Sequence, residues 1–154
     1  MWKFLIFIAA VIVWPASAQD HQVYLTTHDN WAFYKILVAG QMTDANVKAT
    51  CEAAGMRYPC RESGTNGCTV WGWTSDCIAY DSVGNSCYTH WFLSSKLCGI
   101  GFPDHCQPLD DTFVYSPGLH DDSALGVDYD THSWGLYGTG YNNMYALCAG
   151  GASI

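Results

Sequence analysis

The cysteines constrain this chain more than any other feature of its sequence. Eight cysteines occur among 154 residues, and all of them follow a short apolar segment at the start of the chain. Export delivers a protein to an oxidising compartment, where an even number of cysteines is typical of a disulfide framework. The sequence therefore predicts disulfides among Cys51, Cys60, Cys68, Cys77, Cys87, Cys98, Cys106 and Cys148.

The first eighteen residues have the pattern of a secretory signal peptide. Lys3 gives a cationic start, residues 4–14 are apolar, and residues 16–18 (Ala-Ser-Ala) match the small-residue cleavage pattern. The apolar run is eleven residues long, whereas a transmembrane helix needs about 20. We therefore expect residues 1–18 to be removed and residues 19–154 to form one secreted, extracellular domain.

The net charge of the chain limits the classes of partner that it is expected to bind. The formal net charge is −8 at pH 7, and it becomes −9 when Lys3 leaves with the leader. Nucleic acids and anionic membrane surfaces need a basic face, so the sequence argues against both as partners.

Local patterns predict an α+β domain with an antiparallel sheet, one clear helix and long loops. Residues 32–38 are rich in aromatic and branched side chains, which favours a strand. A helix should begin after Thr43 as N-cap, bury Val47 and Cys51 on one face, and end at Gly55. Other predicted elements are strands at 69–73, 78–80, 112–115, 134–137 and 145–148, a short helix at 89–97 capped by Thr89, a loose arm or edge segment at 19–30, and a long acidic loop before residue 134.

The positions of two cysteines suggest one specific pairing. Cys51 lies on the predicted buried helix face, and Cys148 lies in the last predicted strand. Since the ends of a domain often lie close together, we predict a Cys51–Cys148 disulfide, with the other six cysteines pairing locally. Eight cysteines allow 105 connectivities, so the rest stays open. Zinc binding is disfavoured because no C-x-x-C pair is present.

Both ends of the chain resemble a known family. Residues 33–35 (Phe-Tyr-Lys), 49–55 (Ala-Thr-Cys-Glu-Ala-Ala-Gly) and 145–148 (Tyr-Ala-Leu-Cys) look remotely like the ends of a C-type lectin-like domain. The resemblance implies a disulfide from the first helix to the last strand. The family's central Trp-Ile-Gly-Leu, Glu-Pro-Asn and Trp-Asn-Asp signatures are missing, so its calcium-dependent sugar site is not carried over. The whole pattern also resembles a cysteine-rich module of uncharacterised secreted invertebrate proteins.

An acidic segment is the candidate metal site. Six aspartates fall within twenty-one residues, and no Lys or Arg follows Lys96. Oxygen ligands gathered on a loop are what calcium requires, so calcium is the candidate cofactor; the alternative is a solvated acidic loop. The candidate ligands are Asp110, Asp111, Asp121 and Asp122, with Asp128 and Asp130 in the same segment.

Histidines and aspartates lie close together in residues 120–132, and this pattern is the basis of an alternative hypothesis in which the protein is an enzyme. His120 precedes Asp121 and Asp122, and Asp130 lies two residues before His132. A hydrolase would also need a nucleophile, and Ser116, Ser123 and Ser133 lack the Gly-x-Ser-x-Gly context. The sequence therefore favours a protein without catalytic residues over a small secreted hydrolase using residues 120–132.

Aromatic side chains are the candidate ligand-binding residues. Trp71 and Trp73 alternate on one face of a predicted strand, and Trp134 and Tyr137 lie in a later one. Such residues serve as core or as platforms for sugar rings. The expected function is a secreted binding protein for a carbohydrate or another extracellular glycan or protein ligand. A structural matrix protein is the third alternative.

Overall fold

The architecture is built on a six-stranded sheet with one helix against each face. A computed structural model describes residues 21–28, 30–63 and 87–151, so Trp71, Trp73 and the strands predicted at 69–73 and 78–80 lie outside the described residues. The helices are α1 (Asp44–Ala53) and α2 (Thr89–Cys98). The strands are β1 (Gln22–His28), β2 (Trp31–Leu37), β3 (Glu62–Ser63), β4 (Cys87–Tyr88), β5 (Thr112–Val114), β6 (Leu125–Asp128), β7 (Ser133–Tyr137) and β8 (Tyr145–Gly151).

The sheet brings the two ends of the described chain together. Its strand order is β1-β2-β8-β5-β6-β7, and β3 and β4 form a separate two-stranded sheet. All neighbours in the large sheet are antiparallel except β5 and β8, which run parallel. The predicted α+β class with an antiparallel sheet is therefore confirmed. The polar residues at the start form the edge strand β1, which was one of the two alternatives for that segment.

Helix α1 begins and ends where its sequence signals lie. The Thr43 hydroxyl accepts a hydrogen bond from the Asn46 N–H at 3.1 Å, which satisfies one of the free N–H groups of the first turn. At the other end Gly55 has φ of +70°, a left-handed conformation that favours glycine, and its N–H donates to Glu52 O at 2.9 Å. The clear helix predicted from the sequence is confirmed.

Two local predictions differ from the structure. Thr89 does not cap α2: the N-cap is Tyr88, and the buried Thr89 hydroxyl donates to Cys60 O instead. The predicted long acidic loop before residue 134 contains β6, which pairs with β5 and β7. Because residues 125–127 are buried on both sides, β6 lacks the polar alternation by which a half-exposed strand is identified.

The core consists of two apolar layers, one on each face of the sheet. Alternation along β8 divides them: Leu147 and Ala149 face the layer that contains Leu93 of α2, and Ala146 and Cys148 face the layer that contains Val47 and Cys51 of α1. Within the described residues no helix is long and apolar enough to cross a membrane.

The disulfides reinforce this arrangement. Cys51 of α1 is bonded to Cys148 of β8 with a Cα–Cα separation of 5.3 Å, and this is the pair predicted from their positions. Cys98 is bonded to Cys106, eight residues later, and Cys60 is also disulfide-bonded. Such bonds are typical of proteins that fold in an oxidising compartment.

Candidate functional site

Strand β7 carries two exposed aromatic side chains on one face of the sheet. Trp134 is 51% exposed and Tyr137 is 55% exposed. Trp134 pairs with Val127 and Tyr137 pairs with Leu125, so both project from the face on which Leu125 and Val127 lie. They are three residues apart yet share a face because the register shifts at Gly135, which has φ of +73°. An edge strand thus presents both rings to solvent.

Helix α2 extends this aromatic surface. The Trp91 ring meets Trp134 edge-on, with 4.9 Å between ring centroids and 84° between their planes. Tyr88 lies on the other side of Trp91, with 5.4 Å between centroids. The edge-to-face contact between Trp91 and Trp134 stabilises both rings and limits their motion. We refer to Tyr88, Trp91, Trp134 and Tyr137 as the aromatic surface.

A polar cavity adjoins the aromatic surface at Tyr137. Its volume is about 350 Å³, which lies at the lower end of the range for small-molecule sites. The residues that line this cavity are His120, Asp121, Ser123, Tyr137 and Thr139. An aromatic ring, a carboxylate, an imidazole and hydroxyl groups therefore converge on one small volume.

The turn at residues 120–122 is held in place by helix α1. Asp121 and Asp122 both have φ of +57°, a left-handed conformation that aspartate adopts more readily than most residues. The Asp122 carboxylate accepts a hydrogen bond from the Ala45 N–H in the first turn of α1 at 3.1 Å. A carboxylate is stabilised at a helix N-terminus, so this contact anchors the turn that carries His120 and Asp121.

A second aspartate at the same helix end is buried. Asp44 accepts a hydrogen bond from the Ser116 N–H at 2.7 Å, which ties α1 to the chain leading into the turn. Burial raises the pKa of Asp44 to about 7; the Ser116 hydrogen bond opposes this rise, and the nearby charge of Asp122 adds to it. Asp44 therefore titrates near neutral pH in the folded protein.

The cavity does not have the geometry of a Ser-His hydrolase. Ser123 is 1% exposed, and its hydroxyl is hydrogen-bonded to the Thr139 hydroxyl at 3.0 Å. The Ser123 N–H donates to His120 O at 3.1 Å, but within the described residues no hydrogen bond joins the His120 ring to the Ser123 hydroxyl. A serine nucleophile needs a base within hydrogen-bond reach and an accessible oxygen, so the arrangement suits the binding of polar groups better than acyl transfer.

The candidate metal ligands separate into two places. In the part of the chain that the structure describes, Asp110, Asp128 and Asp130 form the one acidic group whose ligand oxygens all lie within 4.8 Å of one another. Asp111 lies near them: burial raises its pKa, and the charges of Asp110, Asp128 and Asp130 raise it further. Asp121 instead lines the polar cavity, and Asp122 bonds to α1. Calcium binding stays a prediction, which melting in EDTA and in calcium at matched ionic strength tests.

A larger cavity of about 750 Å³ lies between α1 and the ends of β1 and β2. Its described lining is mostly aliphatic, including Ile36, Val38 and Ala53, and His21 is the one titratable side chain among those residues. The described lining of the cavity at Tyr137 has three titratable side chains, His120, Asp121 and Tyr137, so we take that cavity as the candidate site.

The sequence predicts some of the residues at this site but not that they lie together. Trp134 and Tyr137 are predicted as ligand-binding residues, whereas His120 belongs to the hydrolase alternative and Asp121 to the predicted calcium site. Thr139 was missed; it lies between Gly138 and Gly140 in the 3₁₀ turn that follows β7. Comparison of the chain with protein-family models, with curated proteins and with solved structures finds no match in any of the three.

Proposed function

We propose that this is a secreted protein that binds carbohydrate at the cavity beside Tyr137. The observation that carries the proposal is the position of Tyr137: its exposed ring forms one wall of a cavity whose other walls bear Asp121, His120 and Thr139. The leader, the disulfides and the acidic composition support the secreted location.

The chemistry of these groups matches the two kinds of surface on a sugar ring. A pyranose has an apolar C–H face, which packs on an aromatic ring, and an edge of hydroxyl groups, which need hydrogen-bond partners. The Asp121 carboxylate accepts from hydroxyls, and charge-assisted hydrogen bonds are among the stronger ones. Thr139 can donate or accept, so the site can satisfy a hydroxyl of either orientation.

The rest of the aromatic surface favours a chain of sugars over a single one. Trp134 is exposed on the same sheet face as Tyr137, so a second ring of an oligosaccharide can stack there. Contact with Trp91 restrains Trp134, which lowers the entropy lost on binding. A neutral glycan also avoids the repulsion that an anionic ligand would meet on this acidic chain.

Binding to immobilised polysaccharides and glycan arrays, followed by calorimetry with the best oligosaccharide, tests the proposal. Tyr137→Ala should weaken binding at least about tenfold, in line with the loss of an aromatic contact and its burial. Asp121→Asn should weaken binding, since it removes a charged acceptor. Tyr24→Ala is the matched control, because Tyr24 is also 55% exposed but lies on β1 at the opposite edge of the sheet.

Two outcomes would contradict the proposal. One is the absence of glycan binding by protein that is folded and fully oxidised. The other is a Tyr24→Ala variant that loses as much affinity as Tyr137→Ala, which would indicate nonspecific aromatic adsorption. Cleavage of the bound glycan that disappears in His120→Ala would instead support the hydrolase alternative.

A further inference from the structure

The polar cavity beside Tyr137 presents a carboxylate to solvent. Asp121 lines this cavity and is exposed, as is its neighbour Asp122. Asp122 accepts a hydrogen bond from the Ala45 N–H at 3.1 Å. Among the described residues, by contrast, the Asp121 carboxylate takes part in no hydrogen bond or ion pair. It is therefore available to a ligand that enters the cavity.

The described surroundings of this carboxylate hold little positive charge. The described lining residues all follow Lys96, and the sequence has no Lys or Arg after that position. Lys48, the one Lys or Arg of α1, pairs with Glu52 at 3.8 Å and lies 5.3 Å from the centre of the Tyr58 ring. Among the described lining residues only His120 can become positively charged. With a net charge of −8 on the whole chain, the cavity should attract cations and repel anions.

Exposed aromatic rings at the cavity also favour a cation. Tyr137, which is 55% exposed, forms one wall, and Trp134, which is 51% exposed, projects from the same face of the sheet. The face of an aromatic ring is negative, so it attracts an ammonium group as well as the C–H face of a sugar. A carboxylate alone would hold any cation, whereas these rings select a cation that is attached to a body with an apolar face.

We propose that the ligand is a glycan whose sugars carry free amino groups, of which an oligomer of glucosamine is the simplest. This choice of glycan rests on the glycan binding proposed for the same cavity. A protonated amino group has three N–H donors, so it can form a charge-assisted hydrogen bond to the Asp121 carboxylate while its sugar ring stacks on Tyr137. N-acetylation replaces the ammonium group by a neutral amide with one N–H, which keeps the stacking contact and loses the charge.

Calorimetry at neutral pH with oligomers of glucosamine, N-acetylglucosamine and glucose, equal in length and linkage, tests this preference on the oxidised, mature protein. The three ligands differ in one ring substituent only. The glucosamine oligomer should bind about fivefold to tenfold more tightly than the other two, because a hydrogen bond between charged groups is stronger than a neutral one. Added sodium chloride should reduce this difference. Asp121→Asn should abolish it, whereas Tyr137→Ala should weaken the binding of every oligomer that binds.

Glu52→Gln is the matched control, since it removes one exposed carboxylate from α1, outside the described lining of the cavity, and should leave the preference unchanged. Circular dichroism establishes that each variant is folded. Equal affinity for the three oligomers, or a preference that persists in Asp121→Asn, would overturn the choice of an amino sugar and leave glycan binding standing. An oligolysine that binds as tightly as the glucosamine oligomer, with or without the Tyr137 ring, would also overturn it, because charge alone would then explain the binding. Failure to bind any glycan would contradict the proposed function itself.

Discussion

Asp44 and His90 are two buried titratable residues whose effects on stability oppose each other. Burial raises the pKa of Asp44 to about 7, whereas burial, aided by the charge of Arg61, lowers the pKa of His90 to about 4. Asp44 therefore stabilises the fold most at low pH, and this contribution is lost as pH rises from its ordinary value of 3.8 to about 7. The contribution of His90 is complete above its ordinary value of 6.5 and is lost as pH falls to about 4.

If one of these two residues is replaced, the pH dependence of the free energy of unfolding should show the effect of the other. Asp44→Asn keeps an oxygen that can accept from the Ser116 N–H, and its free energy of unfolding should rise with pH between about 4 and 6.5 more steeply than that of the wild type. His90→Gln should show the opposite, a fall toward pH 7. Urea denaturation at half-unit steps of pH measures both slopes. A wild type and an Asp44→Asn variant with parallel profiles would show that Asp44 ionises normally.

Gly138 lies where the chain has no room for a side chain. A Cβ at this position would lie 1.7 Å from Met42 O, a backbone atom that cannot move independently. Gly138→Ala should therefore destabilise the protein by at least about 1–3 kcal/mol, the usual cost of overpacking. It should also weaken glycan binding, because Gly138 separates Tyr137 from Thr139 in the cavity wall.

Gly140→Ala is the matched control for this change. A Cβ at Gly140 has no neighbouring atom within 4 Å, so the urea midpoint of the Gly140→Ala variant should stay near that of the wild type. Equal losses of stability in Gly138→Ala and Gly140→Ala would contradict this explanation. They would show that glycine is needed at position 138 for the flexibility of the turn and not for the close contact with Met42.

At the scale of elements, helices were predictable because their signals are local. Thr43 and Gly55 mark the ends of α1 within twelve residues of each other, and both behave as their residue types predict. Strand β6 was missed because it is defined by its neighbours: Gly126 has no side chain, and Phe113 of β5 fills the space beside it. A strand between two others carries no pattern of its own when both faces are buried.

The Cys51–Cys148 disulfide joins two elements, so its removal should have a larger effect than removal of Cys98–Cys106. The first pair is separated by 97 residues and the second by 8. In the chain-entropy model these loops correspond to about 4–5 and about 2–3 kcal/mol, both reduced by the remaining bridges. Urea denaturation of the double variants Cys51→Ala/Cys148→Ala and Cys98→Ala/Cys106→Ala measures the two losses. A greater loss in the second variant would contradict this order.

The candidate site is formed by tertiary contacts that no local sequence pattern predicts. Trp134 and Tyr137 were identifiable as aromatic residues of one strand, but their shared face results from the shift at Gly135. The cavity arises because the turn at 120–122 is fixed to α1, more than seventy residues earlier in the chain, through Asp122 and Ala45. The sequence supplied the residue types, and the tertiary contacts determined which of them meet.

The disulfide framework gives a prediction for the complete chain. Cys51–Cys148 and Cys98–Cys106 account for four cysteines, and Cys60 is bonded as well. If every thiol is oxidised, Cys60, Cys68, Cys77 and Cys87 must pair among themselves, which reduces 105 connectivities to three.

Intact mass of secreted material should match residues 19–154 less eight hydrogens, and no cysteine should react with an alkylating agent under denaturing, non-reducing conditions. Peptide mapping should find bridges within residues 60–87; one linking this segment to Cys98 or Cys148, or a retained leader, would contradict the prediction.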